Sequence, residues 1–404
     1  MNKEKFELMK SLVQKNDAKI LFFVMDGLGG LPHPDFEDKT ELEIAKHPNL
    51  DRLIKKGICG LTDPVFPGIT PGSGPAHLSL FGYNPMEHQI GRGLLDTLGI
   101  DFDFTQNDMA ARGNFATIDE NGIITDRRAG RISTQKNEEI CKLLSNIKIS
   151  GVEIFLKTVK EHRFSVIFRS PSLNDEIEDT DPQKEGLKPL PAIAKTEKAK
   201  SAAELVNKFI AEAEKILKNH YPVNSLLLRG FSKMIKLEKY QEVFQLNPAS
   251  IAVYPMYRGL TKLLGMNVLD AGQSIKDEFD CLKKNYSNYD YFFMHIKKTD
   301  TYGEDGNFEE KVKIIEEFDE QFERVFALNP DVIVITGDHS TPALMKGHSW
   351  HSVPSIIYSK VCRHDSVETF NEKECLKGGI GRISAQYLMS LAMANAGKLK
   401  KFGA

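Results

Sequence analysis

Apolar residues fall into two patterns along this chain. Short continuous runs at 19–25, 225–230, 250–255, 290–296, 331–336 and 355–358 have the character of strands covered on both faces, as in a parallel sheet. Between them, apolar residues recur at helical spacing, as in 41–60 (Leu42, Ile44, Ala45, Leu50, Leu53, Ile54) and in 308–326. Residues 1–17 predict a short peripheral helix and 57–62 a further strand. From Met109 to about Pro222 the pattern changes. Short alternating strands (114–117, 123–126, 152–157, 164–169) stand among long polar helices, and 197–218 carries Ala202, Leu205, Val206, Phe209, Ile210, Ala213, Ile216 and Leu217 on one helical stripe. At 404 residues the chain exceeds one ordinary core. The pattern predicts an α/β domain, a mostly parallel sheet with helices on both faces, built from 1–110 and 223–404. A smaller α+β domain, 111–222, is inserted into it.

Composition narrows the classes. A hydrophobic content of 41% and a charged content of 27% are those of a globular protein, and the net charge of −3 offers no surface for nucleic acid. The five cysteines (59, 141, 281, 362, 375) are scattered and never in CxxC spacing, which predicts reduced thiols in a cytoplasmic protein. The apolar run 20–25 is too short for a membrane span, and no membrane partner is expected.

Candidate chemistry sits at loops and strand ends. In Ile69-Thr70-Pro71-Gly72-Ser73-Gly74-Pro75-Ala76-His77 a single hydroxyl lies between glycines, just before a helix-compatible run. Pro75 suits a first helical turn, and a helix starting here aims free N–H groups and its positive end at whatever Ser73 carries. Such a serine could accept a phosphoryl group; taken alone, the loop could equally be a turn with a capping serine. The first strand ends at Asp26-Gly27, a later one runs into Gly337-Asp338-His339-Ser340, and another into His295-Ile296-Lys297-Lys298-Thr299-Asp300. His348 follows in Gly347-His348-Ser349-Trp350-His351. Oxygen and imidazole ligands at strand ends suit Mn²⁺, Mg²⁺ or Zn²⁺, and two such ions can clamp a transferring phosphoryl group.

These motifs, together with Thr70 to Tyr83, Gly91-Arg92-Gly93, Ala110 to Phe115, Asp126-Arg127-Arg128-Ala129-Gly130-Arg131, His162-Arg163-Phe164, Asp179-Thr180-Asp181-Pro182 and Leu227-Leu228-Arg229-Gly230, give the chain its likeness. It resembles the archaeal-type cofactor-independent phosphoglycerate mutases, metalloenzymes of the alkaline phosphatase superfamily. The resemblance implies an alkaline-phosphatase-like sheet and two divalent ions, Mn²⁺ or Mg²⁺, with Co²⁺ or Zn²⁺ as alternatives, and no 2,3-bisphosphoglycerate. Asp26, Ser73, Asp338 and His339 match the ligands of the ion that activates the nucleophile. Asp300 and His348 match the other site, where the family's third ligand is a histidine four residues after the aspartate. This chain has Glu304 there, which keeps the site but shifts it toward harder ions.

The implied reaction interconverts 3-phosphoglycerate and 2-phosphoglycerate through phosphorylated Ser73, a step of glycolysis and gluconeogenesis. An anionic substrate of this kind needs guanidinium groups. Arg112, Arg127, Arg128, Arg131, Arg163 and Arg169 are candidates, and Arg127, Arg128 and Arg131 are preferred because they lie in the family motif. Lys297 could contact the phosphate. Asp179 or Asp181, with His162 as a further candidate, would serve as general acid and base. His77 could support the serine, pack beside it or be catalytic. Two other readings compete: a related phosphatase or phosphotransferase acting on a small alcohol such as homoserine, and a regulatory protein that lost catalysis through Glu304. Nothing in the sequence sets the oligomeric state.

Overall fold

The computed structural model describes residues 3–403. Its strands in chain order are β1 (Ile20–Met25) and β2 (Ile58–Asp63), then β3 (Asp108–Ile118), β4 (Ile124–Asp126), β5 (Glu153–Lys160), β6 (Arg163–Arg169) and β7 (Ser225–Lys233). There follow β8 (Pro248–Ala252), β9 (Asn267–Leu269), β10 (Tyr291–Ile296), β11 (Val332–Thr336), β12 (Val353–Ser359) and β13 (Gly381–Ser384). The chain divides into two compact units, one of Met1–Gln89, Glu238–Tyr257 and Leu264–Ala404, the other of Ile90–Leu237 with Arg258–Leu263. The stretch 111–222 lies within the second unit, which also takes in the helix Arg92–Gly99 and β7.

The first unit holds an eight-stranded sheet in the order β13-β2-β12-β11-β1-β10-β8-β9. β1 runs parallel to both β10 and β11, and β12 antiparallel to both β11 and β2. This is the mostly parallel α/β sheet that the apolar runs predict. Every residue of β1, β10 and β11 is buried, because helices cover both faces. Phe23 points to one face, against Phe279 of the helix Ile275–Asn285 and Phe318 and Phe322 of the helix Phe308–Leu328. Phe293 and His295 of β10 point to the other, against His77 of the helix Ser73–Leu80. Among the described residues, no helix is long and apolar enough to cross a membrane.

The second unit is an antiparallel sheet, order β4-β3-β6-β5, with β7 also paired to β3. Its core packs the helices Thr134–Leu144 and Lys200–Leu217 on the sheet, with Phe209 edge-on to Phe168.

Two local expectations are corrected. The run at 225–230 does not return to the parallel sheet; Leu226, Leu227 and Leu228 pair with Phe115, Asn114 and Gly113 of β3. A buried apolar run shows that a strand is covered, not which sheet covers it. The helical stretch 41–60 is two helices, Glu41–Ile44 and Pro48–Ile54. Pro48 forces the preceding residue out of the helical region, and His47 takes φ −134° and ψ 61°.

Candidate active site

The carboxyl ends of β1, β10 and β11 lie side by side, so the residues that follow them converge. Gly27 turns the chain after Asp26 at φ +64°, and a Cβ there would lie 2.5 Å from Thr341 Oγ1. Only glycine suits both constraints. Asp26, Ser73, Asp338 and His339 are all buried and face one another. His339 Nε2 lies 3.3 Å from Asp26 Oδ1, 3.2 Å from Asp338 Oδ2 and 3.3 Å from Ser73 Oγ. Ser73 opens its helix as the first residue after the cap Gly72, so unpaired N–H groups of the first turn surround it.

A second group adjoins the first. His348 Nε2 lies 3.4 Å from Asp300 Oδ1, and the rings of His348 and His339 stack 3.6 Å apart. Thr341 Oγ1 donates to Asp300 Oδ1 at 2.8 Å and lies 2.9 Å from His339 Nδ1, tying the two groups together. Lys297 spans them, donating to Asp26 Oδ2 at 2.9 Å and to Asp300 Oδ2. Glu304 stands farther out, half exposed, its Oε1 3.8 Å from His348 Nε2.

These residues fit divalent cations. Asp26, Asp338 and His339 form one set, and Asp300, His339 and His348 another, with ligand atoms in each set within 4.8 Å of one another. Asp26 Oδ1 and Asp338 Oδ2 are fully buried and accept no hydrogen bond. Orphaned carboxylate oxygens in a dry site are costly unless a cation takes them up. His339 belongs to both sets, whereas Glu304 is in neither.

The electrostatics follow from this crowding. Burial would raise Asp26, but Lys297, His295 and His339 outweigh it and hold the carboxyl well below its usual range. Asp300 is likewise held low, against burial and the charge of Asp26, by Lys297 and His348. Burial pulls His348 down, yet its hydrogen bond to Asp300 and that carboxylate's charge raise it to about 9. Burial lowers His339, which favours the neutral, ligating imidazole. Behind the cluster, the Tyr257 hydroxyl donates to Asp26 Oδ2 at 2.5 Å, and burial beside Asp26 keeps that phenol protonated. His295 stacks on Tyr257 and lies 3.3 Å from the same oxygen. His77 Nδ1 lies 2.8 Å from the Ser73 carbonyl and 3.2 Å from Asp338 Oδ2, so it ties the serine turn to the cluster. Sequence reasoning missed Tyr257 and Thr341, whose hydroxyls carry no spacing signal.

The second unit gathers the arginines. Arg112 is buried on β3, its Nε 3.6 Å from Asp96 Oδ2, and is in register with Arg229 of β7. Burial, then the charges of Arg112 and Arg92, pull Arg229 down to about 9. Burial and the charges of Arg163, Arg112, Arg128 and Arg131 push His162 down to about 3, so that four of the expected arginines share its surroundings. Arg229 was not among the candidates, although its motif was noticed. A field of guanidinium groups, with Arg112 buried, Arg163 and Arg229 half-buried and Arg128 and Arg131 exposed, is suited to a multiply charged anion. Arg127 grips Asp181 with two hydrogen bonds of 3.0 and 2.6 Å. Asp179 Oδ1 accepts the Gly230 N–H at 2.7 Å, and burial raises its carboxyl. Arg169 is taken up by Asp108 at 2.6 and 2.8 Å.

The family model for 2,3-bisphosphoglycerate-independent phosphoglycerate mutase matches residues 55–224. An Aquifex aeolicus protein named "probable 2,3-bisphosphoglycerate-independent phosphoglycerate mutase" is 51% identical over 98% of this chain and 100% of its own length. A Thermus thermophilus protein of the same name is 48% identical over 99% of each. The solved cofactor-independent phosphoglycerate mutase of Thermoplasma acidophilum is 31% identical, with TM-score 0.68 over 94% of this chain and all of its own. A Pyrococcus horikoshii structure superposes with TM-score 0.83 at 28% identity, over 96% of this chain and 99% of its own. Likeness of this extent, end to end in both sequence and fold, means that this chain belongs to the 2,3-bisphosphoglycerate-independent phosphoglycerate mutase family.

Proposed function

We propose that this protein interconverts 3-phosphoglycerate and 2-phosphoglycerate by two phosphoryl transfers through Ser73, as a metal-dependent isomerase of glycolysis and gluconeogenesis that needs no 2,3-bisphosphoglycerate. The observation that carries this reading is Ser73 Oγ itself, buried at a helix start and 3.3 Å from His339 Nε2 among carboxylates with unsatisfied oxygens. Asp26, Asp338, His339 and the Ser73 hydroxyl would hold one divalent ion, and Asp300 and His348, with Glu304 or His339 as the further ligand, the other. Mn²⁺ or Mg²⁺ suits this donor set best, with Co²⁺ or Zn²⁺ as alternatives. When bound, such ions draw charge from the serine hydroxyl and the transferring phosphoryl group.

The chain's own residues do the rest. Ser73 Oγ, its proton released to water before attack, bonds to phosphorus while the bond from phosphorus to O3 of the glycerate breaks and O3 takes a proton from the general acid. Lys297, which Asp26 and Asp300 keep protonated against burial, faces the charge that builds on the phosphoryl oxygens. The released glycerate is held by its carboxylate on arginines of the set Arg112, Arg127, Arg128, Arg131, Arg163 and Arg229. Its O2 then takes the phosphoryl group back, and Ser73 is regenerated. Asp179 is our choice of general acid and base. Its carboxyl is raised by burial, whereas Asp181 is occupied in orienting Arg127, and His162, pushed down to about 3, serves as a neutral partner. Water must be kept from the phosphoserine, or the enzyme becomes a phosphatase. In this reading the first unit is the metal-binding domain, and the second, which contains 111–222 and Arg229, binds the substrate. The five free thiols suit work in the cytoplasm.

Acid quenching during turnover, followed by peptide mass spectrometry, tests the intermediate. Phosphate is expected on Ser73 and absent in Ser73→Ala, whose turnover falls by more than about 10⁴-fold. Full turnover by Ser73→Ala would end this reading.

A further inference from the structure

The helix Phe308–Leu328 turns an apolar stripe to the core, yet Lys311 lies on that buried side with no exposed side-chain surface. An ammonium group in such a place is costly unless its surroundings satisfy it. Its Nζ donates to the Thr341 carbonyl at 2.9 Å and to the Gly29 carbonyl at 3.3 Å, and Glu41 Oε1 lies 3.5 Å away. Glu41 is itself buried and accepts the Ala343 N–H at 2.8 Å.

These contacts join two turns. Gly29 belongs to the turn that follows Asp26, and residues 341–343 to the turn that follows Asp338 and His339. The Thr341 N–H already bonds to the Gly27 and Gly29 carbonyls at 3.2 and 3.1 Å, and its hydroxyl reaches Asp300 and His339. Gly30 closes the arrangement, since a Cβ there would lie 1.9 Å from Glu41 Oε2. Without the ammonium, the Gly29 and Thr341 carbonyls would face Glu41 with only the Thr341 N–H on the first and the Ala343 N–H on the carboxylate, too few donors for three acceptors. Their repulsion would drive the two turns apart.

We propose that Lys311, paired with Glu41, is a positioning residue that clamps these turns at the separation at which Asp26, Asp338, His339 and Asp300 can hold divalent ions. It touches neither those side chains nor the substrate, and it acts through the backbone of Gly29 and Thr341. The inference rests on the reading above, in which those side chains bind metal.

Two variants of the full chain test it. Lys311→Met leaves Glu41 buried and alone and could misfold, so the informative protein is Glu41→Gln/Lys311→Met, which removes both charges together. Mn²⁺ binding by calorimetry, the visible absorption of bound Co²⁺, melting of the metal-free protein, and kcat and KM for 3-phosphoglycerate would be compared with wild type. The expected double variant melts close to wild type without metal and binds Mn²⁺ about 10- to 100-fold more weakly. Its Co²⁺ bands shift, and kcat falls with KM little changed. A folded double variant with wild-type Mn²⁺ affinity and Co²⁺ spectrum would overturn the proposal. So would one that cannot fold, since the pair would then serve the core rather than the turns. A wild-type protein that binds no divalent ion would instead sink the metal reading and this proposal with it.

Discussion

Gly303 lies in the helix Lys298–Asp305, and a methyl group added there has nowhere to go. Its Cβ would sit 2.2 Å from the Thr341 carbonyl oxygen and 2.9 Å from Thr341 Cγ2, where ordinary contact begins at 3.4 Å. Two effects oppose each other in Gly303→Ala. Alanine favours a helix by about 1 kcal/mol over glycine. Overpacking against a backbone atom costs about 1–3 kcal/mol. The clash is with a carbonyl that Lys311 also holds, and Thr299 Oγ1 pins the start of the same helix to the Asp26 carbonyl. Relief therefore requires the helix and the turn to part by about 1.2 Å. Asp300, three residues earlier, moves with the helix, away from Thr341 and His348, which it meets at 2.8 and 3.4 Å. A displacement of about 1 Å at a reacting centre costs about 10²-fold in rate. We expect kcat/KM for 3-phosphoglycerate to fall by about that factor, Mn²⁺ to bind more weakly, and the metal-free protein to melt at or below the wild-type temperature. Steady-state kinetics over a Mn²⁺ titration and a thermal melt measure all three. A Gly303→Ala protein that melts higher and turns over normally would refute the reasoning, because helix propensity would then have acted unopposed.

Other outcomes follow from the same geometry. Asp179→Asn is expected to lower kcat by about 10²- to 10⁴-fold with little change in KM, as loss of a proton-transfer group should. Asp181→Asn is expected mainly to raise KM, because it frees Arg127 from its two-point grip; equal kinetics for the two variants would contradict the division of roles. The metal-free protein should be pH-sensitive through His348, raised from 6.5 to about 9. A raised pKa means that the folded state holds this proton more tightly than the unfolded chain. The stabilisation is complete below about pH 6.5 and is lost as the pH rises through about 9. Melting temperature should therefore drop across that window in wild type and less so in His348→Gln; identical profiles would contradict it.

The parts of the fold that could be read in the sequence are those whose burial is set locally. β1, β10 and β11 are apolar at every position but His295 and Thr336, because a parallel strand between two helix layers has no wet face. What could not be read was partner choice. The run Leu226-Leu227-Leu228 of β7 is as apolar as the parallel strands, yet it pairs with β3, more than a hundred residues earlier in the case of Leu228 and Gly113. The antiparallel direction of β12 was equally silent. At the site, Asp26, Asp338, His339, Asp300 and His348 stood out because carboxylates and imidazoles at strand ends are unusual as packing residues. Tyr257 and Thr341 did not, since a phenol or hydroxyl gains its meaning only from the carboxylate it meets, and Tyr257 meets Asp26 across 231 residues. Lys311 left a trace, a charge at an apolar position of an amphipathic helix, which periodicity alone reads as noise. Glu304 was legible as a departure from the family pattern, but not that it stands outside the set that His339 completes.

The most direct test is an enolase-coupled assay of metal-stripped protein with 3-phosphoglycerate. Mn²⁺, Mg²⁺, Co²⁺ and Zn²⁺ are returned one at a time, with no 2,3-bisphosphoglycerate present and free phosphate followed in parallel. The expected result is turnover that appears only with metal, most strongly with Mn²⁺ or Mg²⁺, and releases little phosphate. Phosphate release without isomerisation, or silence with every metal, would contradict the claim that Ser73 passes a phosphoryl group between the two hydroxyls of one glycerate.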